Sequence, residues 1–159
     1  MKVKPWQIAV FGLGLVLTLA GAVLLFQQRA PAVTSLLSPE DAAVVEAGQR
    51  VYVAHCASCH GAKLEGQPNW QSRRPDGLLP APPHDASGHT WHHPGSHLIE
   101  MTKYGPQRFA GPNYRSEMPA YEGILSDAEI VAVLSYIKST WPAEIRSRHD
   151  DLESRAAHQ

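Results

Sequence analysis

The sequence predicts an all-α domain of three to four short helices joined by two long loops. Three segments carry apolar residues at helical spacing, and no segment alternates apolar and polar residues as a half-buried strand would. The segments between the helices are dense in proline and glycine. Because such long loops in a compact domain need something to organise them, a large buried cofactor is expected.

The first helix is expected to begin at residues 38–41. Ser38 offers a cap hydroxyl, Pro39 suits the first helical position, and two acidic residues follow in the first turn. This helix should end just before Cys56. Its apolar face is formed by Val44, Val45, Gly48, Val51 and Tyr52.

Two more helices follow the loop of residues 61–95. Residues 96–104 form a short helix that Gly105-Pro106 ends. Residues 126–129 (SDAE) are typical of a capping box, and the helix they begin closes at Trp141-Pro142. Residues 143–159 form a polar carboxyl-terminal tail, with a helical extension that frays at its end.

The amino-terminal segment, residues 1–29, is predicted to be a membrane anchor, and residues 30–37 are its linker. Residues 8–26 form a run of 19 residues without a charge. A helix of that length spans about 28 Å, close to the hydrocarbon core of a bilayer. Since Lys2 and Lys4 precede the run, the protein is expected to cross the inner membrane once, with its carboxyl-terminal domain in the periplasm.

A cleavable signal peptide is the alternative for the same segment. The apolar stretch of a signal peptide is only about 7 to 15 residues long and is followed by small residues at the cut. Ala30-Pro31-Ala32 offers such a cut, and cleavage near Ala32 would leave a soluble periplasmic protein. Under both interpretations the domain is exported.

The charge of the exported part argues against nucleic-acid binding. Of the 14 basic residues, Lys2 and Lys4 precede the apolar run, which leaves 12 basic residues against 15 acidic ones. A nucleic-acid surface needs a concentrated basic patch, and none is visible.

Residues 56–60, Cys-Ala-Ser-Cys-His, form the most specific motif. Cysteines three apart lie on one side of a helical turn, where both thiols reach the vinyl groups of one porphyrin, and the next histidine lies under the iron. The motif predicts one covalent haem c on Cys56 and Cys59, with His60 as the proximal iron ligand. A thioredoxin-like pair, a zinc site and a strained disulfide are weaker alternatives, because the strands and the regular second ligand pair are missing.

Met118 is the predicted distal iron ligand. Met1 precedes the apolar run, and Met101 lies in the middle of a helix, where a core role is expected. Met118 lies in the loop of residues 107–125, which Pro119 stiffens. A thioether there favours the reduced iron and raises the reduction potential. A packing role for Met118 and histidine ligation from residues 84–97 stay open as alternatives.

Three segments together resemble the single-haem class I cytochromes c: HCASCHG after a capped helix, SEMPAY in the distal loop, and LSDAEIVAVLSYIKSTWP at the end. The resemblance covers residues 38–142 and implies the class I fold, with the helices wrapped around the haem. It also implies that the first and last helices cross at Gly48, Tyr52 and Tyr136. A backbone carbonyl of the proline loop, from Pro80, Pro82 or Pro83, would hold the proximal imidazole.

The loop of residues 61–95 is longer than in the smallest members of that family. It carries Trp91 and several histidines, and two interpretations compete. One is a second metal site for copper or zinc. The other is that Trp91 and some histidines close the haem edge and bond its propionates, as Arg73 and Arg74 would if they are not simply solvated. The histidines are His84, His89, His92, His93 and, in the next helix, His97.

The resemblance implies an electron carrier that turns over no substrate and exchanges electrons with membrane-bound redox proteins. A haem gas sensor or a peroxidase-like protein is the alternative if Met118 is not a firm ligand. A third possibility is a haem subunit of a larger oxidoreductase, docked through the long loop and the polar tail.

Overall fold

The computed structural model describes residues 35–111 and 113–158, which form six α-helices, one 3-10 turn and no strand. The sequence predicts three to four helices. Two of the six have only four residues, which is too short for an apolar periodicity to be recognised in the sequence. The helices are α1 (Ala42–His55), α2 (Ala57–His60), α3 (Gly95–Tyr104), α4 (Gln107–Ala110), α5 (Asp127–Ser139) and α6 (Ala143–Ala156), with the 3-10 turn at Thr90–His92.

The predicted anchor of residues 8–26 and the cleavage point near Ala32 lie outside the described residues. Among residues 35–111 and 113–158, no helix is long and apolar enough to cross a membrane.

Helix α1 begins three residues later than the sequence predicts. Its N-cap is Asp41, whose carboxylate accepts hydrogen bonds from the backbone N–H groups of Ala43 and Val44. The backbone N–H of Ser38 instead donates to the buried hydroxyl of Ser135 at 2.9 Å. Ser38 therefore ties the chain to α5 and is not a helix cap.

Helices α1 and α5 cross at a close contact, as the resemblance implies. A Cβ atom on Gly48 would overlap the backbone carbonyl oxygen of Ala132 and lie 2.9 Å from the Cβ of Tyr136. The Tyr52 and Tyr136 rings pack beside this point with centroids 5.5 Å apart. Only a residue without a side chain lets the two backbones approach this closely.

Helix α5 is the central element of the core. The predicted capping box is present, with Ser126 and Glu129 each bonding the backbone of the other. Most of its side chains are buried because α1 and α3 both pack against it. The surrounding core consists of Leu37, Tyr52, Leu64, Leu98, Tyr121, Leu125, Ile130, Val133, Leu134, Ile137 and Trp141.

The polar tail is helical, as predicted: α6 runs from Ala143 to Ala156. It is packed against the rest of the domain over this length and is not frayed there. His149 is fully buried, and its Nε2 donates to the carbonyl oxygen of His93 at 3.1 Å. The Glu153 carboxylate accepts the backbone N–H of Gly95 at 2.7 Å, where α3 begins. Buried Lys138 of α5 reaches Asp150 of α6 at 2.6 Å. Because this helix contains few apolar residues, its sequence does not predict that it is packed against the domain.

The loop of residues 61–95 is organised in part by its own backbone. Gly66 donates to the carbonyl oxygen of His60 at 2.8 Å, and Gln67 donates to that of Ala81 at 2.8 Å. His84 returns to donate to Leu64 at 2.8 Å. These bonds fold the loop back onto α2. They also bring residues 80–83, the proline segment, beside His60.

Candidate functional site

Cys56, Cys59 and His60 share one helical turn. Cys56 ends α1 by donating to Tyr52 at 2.9 Å, and His60 donates back to the Cys56 carbonyl at 2.9 Å. Both cysteines are free thiols; Cys56 is half-buried, and Cys59 is exposed. The predicted arrangement of two thiols on one side of a turn, followed directly by a histidine, is therefore present.

The His60 imidazole is buried and held from one side. Only 8 % of the residue is exposed, and its Nδ1–H donates to the Pro82 carbonyl oxygen at 2.8 Å. Burial lowers the pKa of His60, and the bond to Pro82 only partly opposes this. The ring is thus neutral at pH 7, with Nε2 left as a lone-pair donor for a metal. Among the three candidate prolines, Pro82 supplies the carbonyl.

The proline segment is held in place by close backbone contacts. Gly66 has a positive φ of 69°, and a Cβ there would overlap the backbone of Pro82 and Pro83. On the other side, the Trp141 Nε1–H donates to the His84 carbonyl oxygen at 2.8 Å. The acceptor for His60 is therefore fixed both by the loop and by Trp141, which follows α5.

The Cys56 thiol is not activated as a nucleophile. Burial, with a smaller contribution from Cys59, raises the pKa of the Cys56 thiol to about 11. Thioredoxin-like attack needs a lowered thiol pKa so that a thiolate forms near neutral pH. The described residues also contain no strand to carry such a motif.

Met118 is half-buried and packs against the core cluster. Its backbone N–H donates to the Ser116 hydroxyl at 3.0 Å. Three residues later, the Tyr121 hydroxyl donates to the His55 carbonyl at 2.7 Å, which ties the loop to the residue before Cys56. The fold thus brings the Met118 loop to the attachment turn.

Met101 differs from its predicted role. It is half-buried on α3 and is not one of the core-cluster residues, whereas Leu98 and Thr102 are the side chains of α3 that are buried. The expectation of a core methionine is therefore wrong, because the buried stripe of α3 runs beside Met101.

The histidines of the long loop pack mainly on other rings. His84 stacks on His60, with ring centroids 3.9 Å apart. His89 stacks on Trp70 at 5.3 Å, and His92 stacks on Trp91 at 3.6 Å. His93 and His97 lie 5.2 Å apart, and the His97 ring meets Phe109 at 4.9 Å. Within the described parts of the chain, no group of three or more histidine, cysteine, aspartate or glutamate side chains is arranged to hold a metal ion.

Two buried donors fit a bound group that carries carboxylates. The Trp91 Nε1–H is buried and has no hydrogen-bond partner among the described residues, and the same is true of the Arg74 Nε. A buried donor without an acceptor is costly, so each is suited to an acceptor such as a haem propionate. Arg73 instead donates to the carbonyl of Gly77 within its own turn, at 2.7 Å.

A helical domain with a buried, carbonyl-held histidine directly after two free cysteines defines a protein that binds haem covalently. The family model described as "Cytochrome c" matches residues 45–141, and the chain belongs to this family. It therefore binds covalent c-type haem, and Cys56 and Cys59 fit the attachment motif. The family also establishes haem-based electron transfer as the general activity. No curated protein and no solved structure matches the chain.

Sequence reasoning missed four contacts around the site. The His84 stack on His60 joins residues 24 positions apart, and the bonds from α6 to His93 and Gly95 join residues 56 and 58 positions apart. The Arg74–Glu117 ion pair of 2.7 Å was also unforeseen. No local spacing signals such contacts, since each depends on how the loops fold back.

Proposed function

We propose that this cytochrome c is an electron carrier whose iron is bound by His60 on the proximal side and by Met118 on the distal side. Thioether bonds from Cys56 and Cys59 would hold the haem. With both axial positions taken by protein side chains, no position is open for a substrate, so the protein passes electrons and turns nothing over.

The observation that carries this proposal is the bond from His60 Nδ1 to the Pro82 carbonyl. It fixes the tautomer, directs Nε2 away from the loop, and makes the ring a better electron donor to a metal. A histidine with a merely structural role has no need to lie directly after two cysteines with its Nδ1 held by a carbonyl.

Met118 is supported by its place in the fold. It is half-buried against the core, and Tyr121 ties its loop to His55. A thioether is a weaker donor than a second imidazole, so it favours the reduced iron and a higher potential. The long-loop histidines pack on aromatic rings or on His60, which leaves Met118 the better candidate.

The haem, when bound, supplies the one-electron chemistry. The protein residues bind, orient and exclude water: Cys56 and Cys59 fix position, Pro82 fixes the proximal ring, and the core formed by α1, α3 and α5 limits solvent. Because the same ligands suit both oxidation states, little must rearrange when an electron moves. This favours fast exchange with a partner.

We further propose that the domain works on the exported side of a membrane, tethered by residues 8–26. The support is the uncharged run of 19 residues that follows Lys2 and Lys4. A tether raises the effective concentration of the domain beside membrane-bound redox proteins, which are the proposed donor and acceptor.

Optical spectroscopy of the haem-loaded protein tests the ligand assignment. The oxidised protein should show the weak near-infrared band of sulfur bound to ferric iron. Met118→Ala should lose the band and bind carbon monoxide when reduced, whereas Met101→Ala should keep it. A wild-type protein without the band that binds carbon monoxide readily would contradict the proposal and favour a sensor or an enzyme.

A further inference from the structure

The His84 ring lies face to face with the His60 ring. Their centroids are 3.9 Å apart, and the ring planes differ by 24°. The sequence offers no reason for this contact, because His84 comes two residues after the carbonyl that His60 bonds. The two rings thus meet only because the proline segment turns back beneath α2.

His84 is itself held on several sides. Its Nδ1 shares a 2.9 Å hydrogen bond with the hydroxyl of buried Thr90. Its backbone N–H donates to Leu64 at 2.8 Å, and its carbonyl accepts the Trp141 Nε1–H at 2.8 Å. The Tyr52 ring meets it edge-on with centroids 6.3 Å apart. A ring fixed this firmly can fix its neighbour.

Two contacts define a ring plane better than one. The bond from His60 Nδ1 to Pro82 fixes one point of the imidazole, but it still allows the ring to tilt about its Cβ–Cγ bond. A flat partner against the ring face opposes that tilt.

We propose that His84 is a positioning residue that sets the orientation of the His60 imidazole plane at the haem iron. This inference rests on the proposed role of His60 as the proximal ligand. The orientation of an axial imidazole decides which iron orbitals it overlaps, and hence how unpaired spin spreads over the haem of the oxidised protein. His84 acts through His60 and does not itself bind the iron.

The test uses the haem-loaded oxidised protein and three variants. His84→Leu removes the flat partner, whereas His84→Phe keeps a flat ring and loses only the bond to Thr90. His89→Leu is the matched control, since it removes a histidine of the same loop that stacks on Trp70 and not on His60. The readouts are the paramagnetically shifted haem methyl signals in proton NMR and the solvent exchange of the His60 Nδ1 proton.

His84→Leu should change the order or spread of the haem methyl signals. It should also speed exchange of the Nδ1 proton by about two- to tenfold, the range into which aromatic pair energies convert. His84→Phe and His89→Leu should stay close to the wild type. If His84→Leu fails to hold haem, a wild-type pattern in His84→Phe still supports the proposal.

An unchanged methyl pattern and exchange rate in His84→Leu would overturn it and leave His84 as a space-filling residue. A His84→Phe variant that is as disturbed as His84→Leu would also overturn it, because the bond to Thr90 would then carry the effect. A wild-type protein without signals of an axial histidine would instead defeat the proposed function itself, and the inference with it.

Discussion

The segments next to the two proposed iron ligands are held in different ways. The proximal loop, residues 61–95, is held by backbone hydrogen bonds and buried contacts, including those of Gly66, Gln67 and His84. The distal loop, residues 107–125, carries Met118, and near its end the backbone N–H of Tyr121 donates to α3. Within its described part, no N–H of residues 115–120 makes a backbone–backbone hydrogen bond.

Side chains hold residues 115–117 instead. Arg74 Nη2 lies 2.7 Å from a Glu117 carboxylate oxygen, and Arg115 Nη1 donates to the Asp76 carbonyl at 3.2 Å. Gln107 donates to the Ser116 carbonyl at 3.2 Å. The ion-paired side chains of Arg74 and Glu117 are 33 % and 56 % exposed, so water and salt weaken their attraction.

This difference indicates that His60 is held more firmly than Met118. The imidazole of His60 is held by the Pro82 carbonyl, while residues 115–117 beside Met118 are held by side-chain contacts, of which the Arg74–Glu117 pair is partly exposed. We therefore expect stress to release the distal side first and to leave the proximal side intact.

The largest expected effect comes from breaking the proximal loop at Gly66. Gly66→Ala places a Cβ against the backbone of Pro82 and Pro83 in a left-handed conformation, with φ of 69°. Strain and overlap together should lower the free energy of unfolding by about 2–4 kcal/mol. Urea unfolding of the haem-loaded protein measures the change.

Gly77→Ala is the matched control for that experiment. Gly77 has φ of 83°, but a Cβ there meets nothing within 4 Å. Conformational strain alone should then cost about 1–2 kcal/mol. Equal losses at the two positions would show that the contact with the proline segment carries no weight.

The second effect is a loss of stability in mild acid through His149, which bonds the carbonyl of His93 near the end of the proximal loop. Burial, and then nearby Lys138, lower the pKa of His149 from 6.5 to about 4, with Asp150 acting in the opposite direction. As the pH falls below 6.5 the unfolded chain takes up the proton first, so stability present above pH 6.5 is lost down to about pH 4. The full loss is about 3 kcal/mol.

Urea unfolding of the wild type and of His149→Phe across this pH range checks the assignment. The variant should be less stable at pH 7, because the bond to His93 is lost, but its stability should fall less steeply with acid. His84, His89 and His93 also have lowered pKa values and add to the slope in both proteins. An identical slope in the two proteins would refute a role for His149.

The smallest effect is expected at the distal loop. Arg74→Gln and Glu117→Gln should each loosen the Met118 loop, so that added imidazole binds the oxidised iron about two- to fivefold more tightly. The double variant should be no worse than either single one. Arg148→Gln, which removes an exposed ion pair within α6, is the control and should change nothing.

A different result would assign Arg74 another role. If Arg74→Gln has its effect and Glu117→Gln has none, Arg74 acts on the haem through its unpartnered Nε and not on the loop. Optical titration with imidazole distinguishes the two cases.

The parts of the fold that the sequence predicts are those set by local spacing. The capping box of Ser126 and Glu129 and the attachment turn follow from residues a few positions apart, whereas the crossing at Gly48 is implied by the family resemblance. The sequence predicts the N-cap at Ser38, whereas Asp41 caps the helix. Both residue types cap helices, and no local pattern shows that Ser38 bonds the distant Ser135 instead.

The parts that could not be predicted depend on distant partners. Helix α6 is polar along most of its length, and its attachment relies on His149 and Glu153 meeting the end of the proximal loop. The choice of Pro82 among three prolines, and the stack of His84 on His60, likewise require the loop to be folded. No periodicity of the sequence encodes these contacts.

The most direct test is one urea titration of the oxidised, haem-loaded protein followed by two signals. The near-infrared band reports Met118 on the iron, and far-ultraviolet circular dichroism reports the helices. We predict that the band disappears at a lower urea concentration than the helical signal, since no N–H group of residues 115–120, around Met118, makes a backbone–backbone hydrogen bond. If both signals are lost at the same urea concentration, Met118 is not released before the protein unfolds, and this would contradict the account.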